Sequence, residues 1–269
     1  MDVVCILSVV PVRFPTVSIK PNNTGNWLEK NMKVTLIVPV LNELKGLKRI
    51  MSEVKPEWYD QLIILDGKST DGTLVWCARQ PNYEVFVQSK SGLWNAYREL
   101  FLSGIIKGDI IITFSPDGNS IPEAIPVIAD KIKSGYAMVI SSRYKDGARS
   151  YDDSVITGFG NHLLTGIINL RSRFRYTDAL NMFRGYRRGV VELLNFTEPV
   201  PWLYQHMGKM STLVSWEPSL SVRVGRNSLM KVAEVGFDEP EAFSQKRREH
   251  WVKHGLVLFC QIVYEAWIR

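Results

Sequence analysis

Two periods of apolar residues alternate along the first half of this chain. Val34-Thr-Leu-Ile-Val-Pro-Val40 is a nearly continuous apolar run, the pattern of a strand covered on both faces. Between Leu44 and Val54 the apolar positions Leu44, Leu47, Ile50, Met51 and Val54 fall at helical spacing. The cycle then repeats. Gln61 to Leu65 predicts a second strand, Thr73 to Ala78 a short helix, Tyr83 to Gln88 a third strand and Trp94 to Ile106 a helix. Ile110 to Phe114, Ala124 to Lys133 and Ala137 to Ser141 continue as strand, helix and strand. Such alternation predicts an α/β domain, with a mixed, mostly parallel sheet flanked by helices. Beyond Tyr144 the pattern loosens. Asp146 to Ser154 reads as a polar loop, Val155 to Leu170 as a long helix, and Ser211 to Val224 as a pair of strands near the sheet edge. We divide the chain into an extension over 1–31, a main domain over 32–231 and a basic, amphipathic tail over 232–269.

Composition changes this picture little, but charge adds to it. The 269 residues carry 33 Lys and Arg against 27 Asp and Glu, a net charge of +6. A basic surface attracts anions such as nucleotide phosphates or an anionic membrane face. The basic residues are not interleaved along one recognition element, so nucleic acid is not an expected partner. Three scattered cysteines point to a reducing compartment, and four histidines without metal spacing argue against zinc. The apolar N-terminus lacks a basic leader, so it reads as an extension and not a signal peptide. No stretch is apolar over the length a membrane span needs. A cytoplasmic protein, peripheral at the membrane face at most, is expected.

The chemistry gathers where the fourth strand stops. Pro116 ends the run, and Asp117 and Asn119 follow at once, ahead of Pro122-Glu123 at the start of a helix. Open α/β sheets bind ligands at the carboxyl ends of their strands. Hard oxygen donors there suit Mn²⁺ or Mg²⁺, ions that commonly bridge to phosphates.

Taken together, five segments resemble the family 2 glycosyltransferases of GT-A fold, in particular the polyprenyl (dolichyl) phosphate hexose synthases. They are Ile37-Val-Pro39-Val-Leu41-Asn42-Glu43, Leu65-Asp66-Gly-Lys-Ser-Thr-Asp71-Gly-Thr, Asp117-Gly-Asn119-Ser-Ile-Pro122-Glu123, Ser142-Arg143-Tyr144 and Asp178-Ala-Leu-Asn-Met-Phe183-Arg184. The likeness runs from about Lys33 to Lys231. Two positions depart from it: Ser115 and Gly67 stand where the family carries acids.

The resemblance implies transfer of a hexose from a GDP- or UDP-linked sugar to a polyprenyl phosphate, or alternatively to a saccharide hydroxyl. A binding module without catalysis is the non-enzymatic alternative. The resemblance also implies a role for each matched residue. Asp66 contacts the nucleobase, and Asn42 and Glu43 the base or ribose. Pro39, Leu41, Lys90, Gly92, Ser115 and Pro116 line the donor. Asp117 and Asn119 hold the divalent cation, with Ser115 adding only a neutral oxygen. Arg143 lies near the acceptor or the donor phosphates, and Arg184 is a further phosphate or acceptor contact. Beside the resemblance, the clustering of Arg223, Arg226 and Lys231 around Gly225 suggests a phosphate clamp. Asp178 orients a sugar, or serves as base for a hydroxyl acceptor. A phosphate acceptor is already anionic and needs no base, only alignment and charge stabilisation. Each of these residues also has a structural alternative: a turn or helix cap for the acids and amides, a solvated surface for the arginines. For the basic, aromatic tail, contact with an anionic bilayer or a partner subunit stands beside packing on the domain itself.

Overall fold

The computed structural model describes residues 31–197, 208–243 and 251–268. Strands β1 (Val34–Val40), β2 (Gln61–Asp66), β3 (Glu84–Val87), β4 (Ile110–Thr113), β5 (Met138–Ser142), β6 (Arg184–Arg187) and β7 (Val232–Gly236) form one sheet. Their order is β3-β2-β1-β4-β6-β5-β7. The sheet is parallel except for β6, which runs antiparallel to β4 and β5. Every parallel strand therefore ends at the same edge.

Alternate strand residues feed two cores. On one face, Leu36, Val38, Ile64 and Ile112 pack against helices α1 (Leu44–Ile50), α2 (Thr73–Cys77) and α4 (Ala124–Lys133). On the other, Ile37, Ile63, Leu65 and Ile111 meet α3 (Leu93–Leu102), α5 (Val155–Asn169) and α6 (Arg188–Leu193). Helices α7 (Trp216–Arg226) and α8 (Trp251–Val263) complete that second layer. This double cover is why the central strands read as unbroken apolar runs.

Two expectations change. The segment from Ser211 to Val224 holds no strand pair. A 3₁₀ turn over Gly208–Leu213 leads into α7, which is buried from Trp216 through Gly225. A helix enclosed on every side keeps no amphipathic period, and Ser219-Leu-Ser-Val-Arg-Val224 imitates strand alternation. Polar side chains on it are satisfied inside the protein: Ser221 donates to the Ala179 carbonyl at 2.6 Å, and Arg223 pairs with Glu265 at 2.6 Å.

The main domain does not stop at Lys231. Strand β7 pairs in parallel with β5 from Met138↔Val232 to Ser142↔Gly236. The chain over 251–268 packs on the domain, burying Val257, Ile262, Glu265 and Ala266. The expected extension over 1–31 lies outside the described residues but for its last position.

Candidate active site

At the carboxyl edge the sequence folds back to make a shared floor. Gly67 follows β2 directly and donates its N–H to the Val40 carbonyl at 2.8 Å. A Cβ on Gly67 would approach that same oxygen to 3.2 Å, tighter than ordinary van der Waals contact. Asn42, in the left-handed region at φ 57°, accepts from the Thr70 N–H at 2.8 Å. Its own N–H donates to Ser69 Oγ. Asn42 thus ties the β1 loop to the β2 loop. Asp71 accepts from Leu44 N and from Thr73, and these bonds overcome its burial to hold its carboxyl below the usual range. Glu43 stands at the N-cap of α1 beside exposed Leu41, and Pro39 lies in β1.

Asp66 is fully buried at the end of β2. Its Oδ1 accepts from Lys68 N at 2.8 Å and Ser69 N at 2.9 Å, while Oδ2 is buried with no partner. An unpaired buried carboxylate oxygen is costly, and a ligand N–H would relieve the cost. Across the β1 loop, Gly46 of α1 packs on the Pro116 carbonyl so closely that a Cβ there would lie 2.6 Å from it. Asp117 is held against the start of α1 in this way, 3% exposed. Ser115 Oγ, just before it, is buried and unpartnered. Asn119 offers its side-chain oxygen, which accepts from Ser120 Oγ at 3.3 Å.

A carboxylate, an amide and a hydroxyl make an all-oxygen set that fits Mn²⁺ or Mg²⁺. Among the described residues no group of three or more His, Cys, Asp or Glu could hold a metal by itself. Asp117 would be the one charged ligand, with neutral oxygens and the donor's own phosphates completing the shell.

Behind Asn119 lies a charge cluster. Arg143 makes a bidentate pair with Asp178, Nε to Oδ2 at 2.6 Å and Nη2 to Oδ1 at 2.8 Å. The same guanidinium lies 3.5 Å from Glu239 and 3.9 Å from Asp153. Burial alone would lower the Arg143 pKa, but Asp178 and then Glu239 raise it well above its ordinary value. Asp178 has no exposed surface, and its backbone N–H is held by Glu234. A carboxylate so engaged is not placed to take a proton from a hydroxyl, so the expected base role loses its geometry.

The sequence reading missed Glu239. It accepts from Ser150 Oγ, Arg143 and Asn119 Nδ2, and burial pushes its carboxyl up to about 7 against the pull of Arg143. It lies on a strap over 237–243 that follows β7. The strap pins the polar loop over 146–154, with Arg149 N donating to the Asp238 side chain and Tyr151 N to the Glu239 carbonyl, both at 2.8 Å. Phe243 N donates to the Asp117 carbonyl at 2.8 Å, and the Phe243 ring covers Gly118. Arg49 stacks on that ring, 4.1 Å from its centre. A boundary set at Lys231 left these residues in the tail. Asp238-Glu239-Pro240 reads locally as a polar turn, so no local signal marks it.

The other expected residues divide. Gly92 caps α3 at φ 101° beside Thr212, and Lys90 donates its N–H to Glu99. Both border the β3 end of the edge. Arg184 does not join the site. It is completely buried, donating to Glu217 O, Ser221 Oγ and Ala179 O, with its pKa lowered by burial. Arg223 is ion-paired inside, and Arg226 donates to the Glu265 carbonyl. Lys231 precedes β7, its carbonyl accepting from Ala137 N at the amino end of β5. The expected phosphate clamp is therefore dispersed: two arginines are structural, and Lys231 lies across the sheet from Asp117.

Comparison with known proteins agrees with this architecture. The chain superposes on glucosyl-3-phosphoglycerate synthase from Mycobacterium tuberculosis, crystallised with Mn²⁺, uridine diphosphate and phosphoglyceric acid. The TM-score is 0.64 at 14% identity, over 89% of this chain and 80% of that one. At that identity the likeness establishes the GT-A fold. Glycosyltransferase AglJ of Haloferax volcanii is 26% identical over 155 residues, 58% of this chain and 50% of the relative. An undecaprenyl-phosphate mannosyltransferase of Micrococcus luteus is 29% identical over 127 residues, 44% of this chain and 51% of its own. The chain spans about half the length of these two curated relatives. The model of glycosyl transferase family 2 matches residues 35–194, from β1 to the end of α6 and so across Asp66, Asp117, Arg143 and Asp178. The chain belongs to glycosyl transferase family 2.

Proposed function

We propose that this chain transfers a hexose from a nucleotide diphosphate sugar to a polyprenyl phosphate, with inversion at the anomeric carbon. One observation carries the donor half: Asp66 Oδ2 and Ser115 Oγ, both buried and unpartnered, lie at the carboxyl edge with Asp117. Asp66 Oδ2 accepts a nucleobase N–H. Asn42 and Glu43 border the base and ribose, and Asp117 with Asn119 holds Mn²⁺ or Mg²⁺. A cation held there would supply the positive charge that offsets the departing diphosphate. Leu41, Gly92 and Lys90 bound the same groove.

The acceptor half rests on the names of the relatives and on Asp178. Two matched relatives are an undecaprenyl-phosphate mannosyltransferase and an undecaprenyl-phosphate 4-deoxy-4-formamido-L-arabinose transferase. Asp178 is bound on both oxygens by Arg143, which leaves a hydroxyl acceptor without its expected base. A phosphate acceptor needs none. Its oxygen attacks the anomeric carbon directly, and Arg143 sets the local field on that side. Such an acceptor places the protein at a membrane surface, on the cytoplasmic face where nucleotide sugars are available.

The test is a partition assay with a radiolabelled sugar donor, a polyprenyl phosphate and Mn²⁺. Label should enter the organic phase, and Asp117→Ala should lower the rate by at least about 100-fold. Absence of lipid-phase product with every GDP- and UDP-hexose would overturn the reading.

A further inference from the structure

Two neighbouring helices leave an apolar face in solvent. On α5, Val155, Ile156, Phe159 and Leu163 are 91%, 57%, 68% and 52% exposed, and Leu170 follows at 71%. Positions 156, 159, 163 and 170 fall on one helical stripe. The opposite face of α5 is already spent, with Leu164, Thr165 and Ile168 buried against the core. Helix α8 packs beside α5 and shows the same division. Val257, Gln261 and Ile262 are buried, while Val252, Leu256 and Phe259 remain exposed at helical spacing. Two packed helices that each leave an apolar stripe in solvent have the pattern of a docking surface and not of scattered surface hydrophobics.

Charge identifies the partner. Helix α5 carries no Asp, Glu, Lys or Arg at all, and α8 carries only Lys253 and His254. The charged residues beside these helices are largely basic: Arg171, Arg173 and Arg175 follow α5, all exposed. The sequence ahead of α8, Lys246-Arg247-Arg248-Glu249-His250, is net basic as well. The nearest acids are occupied. Asp153 at the start of α5 accepts from Tyr144 and Asn161, and Glu265 beyond α8 is buried with Arg223. An apolar stripe whose flanking charges are mostly basic is complementary to anionic headgroups over acyl chains.

We propose that the joined face of α5 and α8 rests on an anionic lipid bilayer. The inference deepens the polyprenyl-phosphate reading and rests on it for its purpose. Helix α5 springs from the Arg143 cluster, since Tyr144 bonds Asp153 and stacks on His162 at 4.4 Å. A bilayer under α5 would therefore bring a lipid phosphate to the Arg143 side of the site.

Flotation on vesicles without donor or polyprenyl phosphate tests the surface alone. The full chain should float with phosphatidylcholine vesicles containing phosphatidylglycerol. It should bind pure phosphatidylcholine less, and high salt should weaken the binding. The double variant F159D/L163D should bind at least about tenfold more weakly while melting at the wild-type temperature. Failure to float on anionic vesicles overturns the proposal, as does undiminished binding by the variant. A concentration-dependent dimer that the variant abolishes, without vesicle binding, assigns the face to a second copy of the chain and also overturns it. Transfer to a short, water-soluble prenyl phosphate, measured without vesicles, separates the two readings. If transfer persists while flotation fails, only the bilayer surface falls; if flotation succeeds and transfer fails, only the acceptor reading falls.

Discussion

Glu239 is a carboxyl that its surroundings hold between two protonation states. Burial raises its pKa to about 7, opposed by Arg143 and Ser150 and reinforced by Asp153 and Asp178. In the unfolded chain the group ionises near its ordinary value of 4.5. Between these values the folded protein keeps a proton that the unfolded chain has released, so stability falls as pH rises through the window. The neutral isostere escapes this loss. Glu239→Gln should match wild type below about pH 4.5 and melt about 2–5 °C higher above pH 7, without metal or nucleotide. Thermal melts of both proteins from pH 4 to 8 check this, and parallel curves across the window would refute it. The adjacent Arg143–Asp178 pair is different in kind. Asp178 is buried, and the two partners satisfy each other through two hydrogen bonds.

At the scale of elements, burial decided what could be read. The strands β1, β2, β4 and β5 were visible because double cover makes them apolar runs. Strand β6 was not, since Arg184-Gly-Tyr-Arg187 spends its first arginine inside the core. Helix α7 was read as strands because enclosure erased its period. Its arginine shows what that costs and gives. Arg223 meets Glu265 through both Nε and Nη2, at 2.7 and 2.6 Å, and stacks over Phe196 at 4.3 Å. Removing one partner strands a buried charge. Arg223→Ala should destabilise the fold by about 3–5 kcal/mol, and Arg223→Met combined with Glu265→Leu should recover most of that. Urea unfolding measures the stability, and nucleotide affinity of the still-folded fraction measures the clamp. If Arg223→Ala left stability intact and weakened nucleotide binding, Arg223 would belong to the phosphate clamp after all.

Across the whole molecule, the site exists only because distant stretches converge. The β1, β2 and β4 loops meet through Asn42, Gly67 and Gly46; the motifs marked these loops but not the contacts between them. The strap over 237–243 closes on Asp117 from the far end of the chain, a contact that no local pattern announces. Asp117 is thus fixed before any ligand arrives, and a pre-built site binds with little reorganisation. Ligand binding should then appear as added global stability and not as new folding. At about 100 times its dissociation constant, a nucleoside diphosphate with Mn²⁺ should stabilise the chain by about 2.7 kcal/mol, or roughly 5–10 °C. The size of that shift, compared between UDP and GDP, identifies the base that Asp66 accepts. Chelating the cation should remove most of the shift, because the diphosphate would then face the Asp117 carboxylate without a bridging charge. Asp117→Ala should lose the Mn²⁺-dependent part and retain the part owed to the base. Equal shifts with Mn²⁺ and with chelator in the wild type would mean that Asp117 holds no cation, and that the diphosphate is neutralised by protein cations alone.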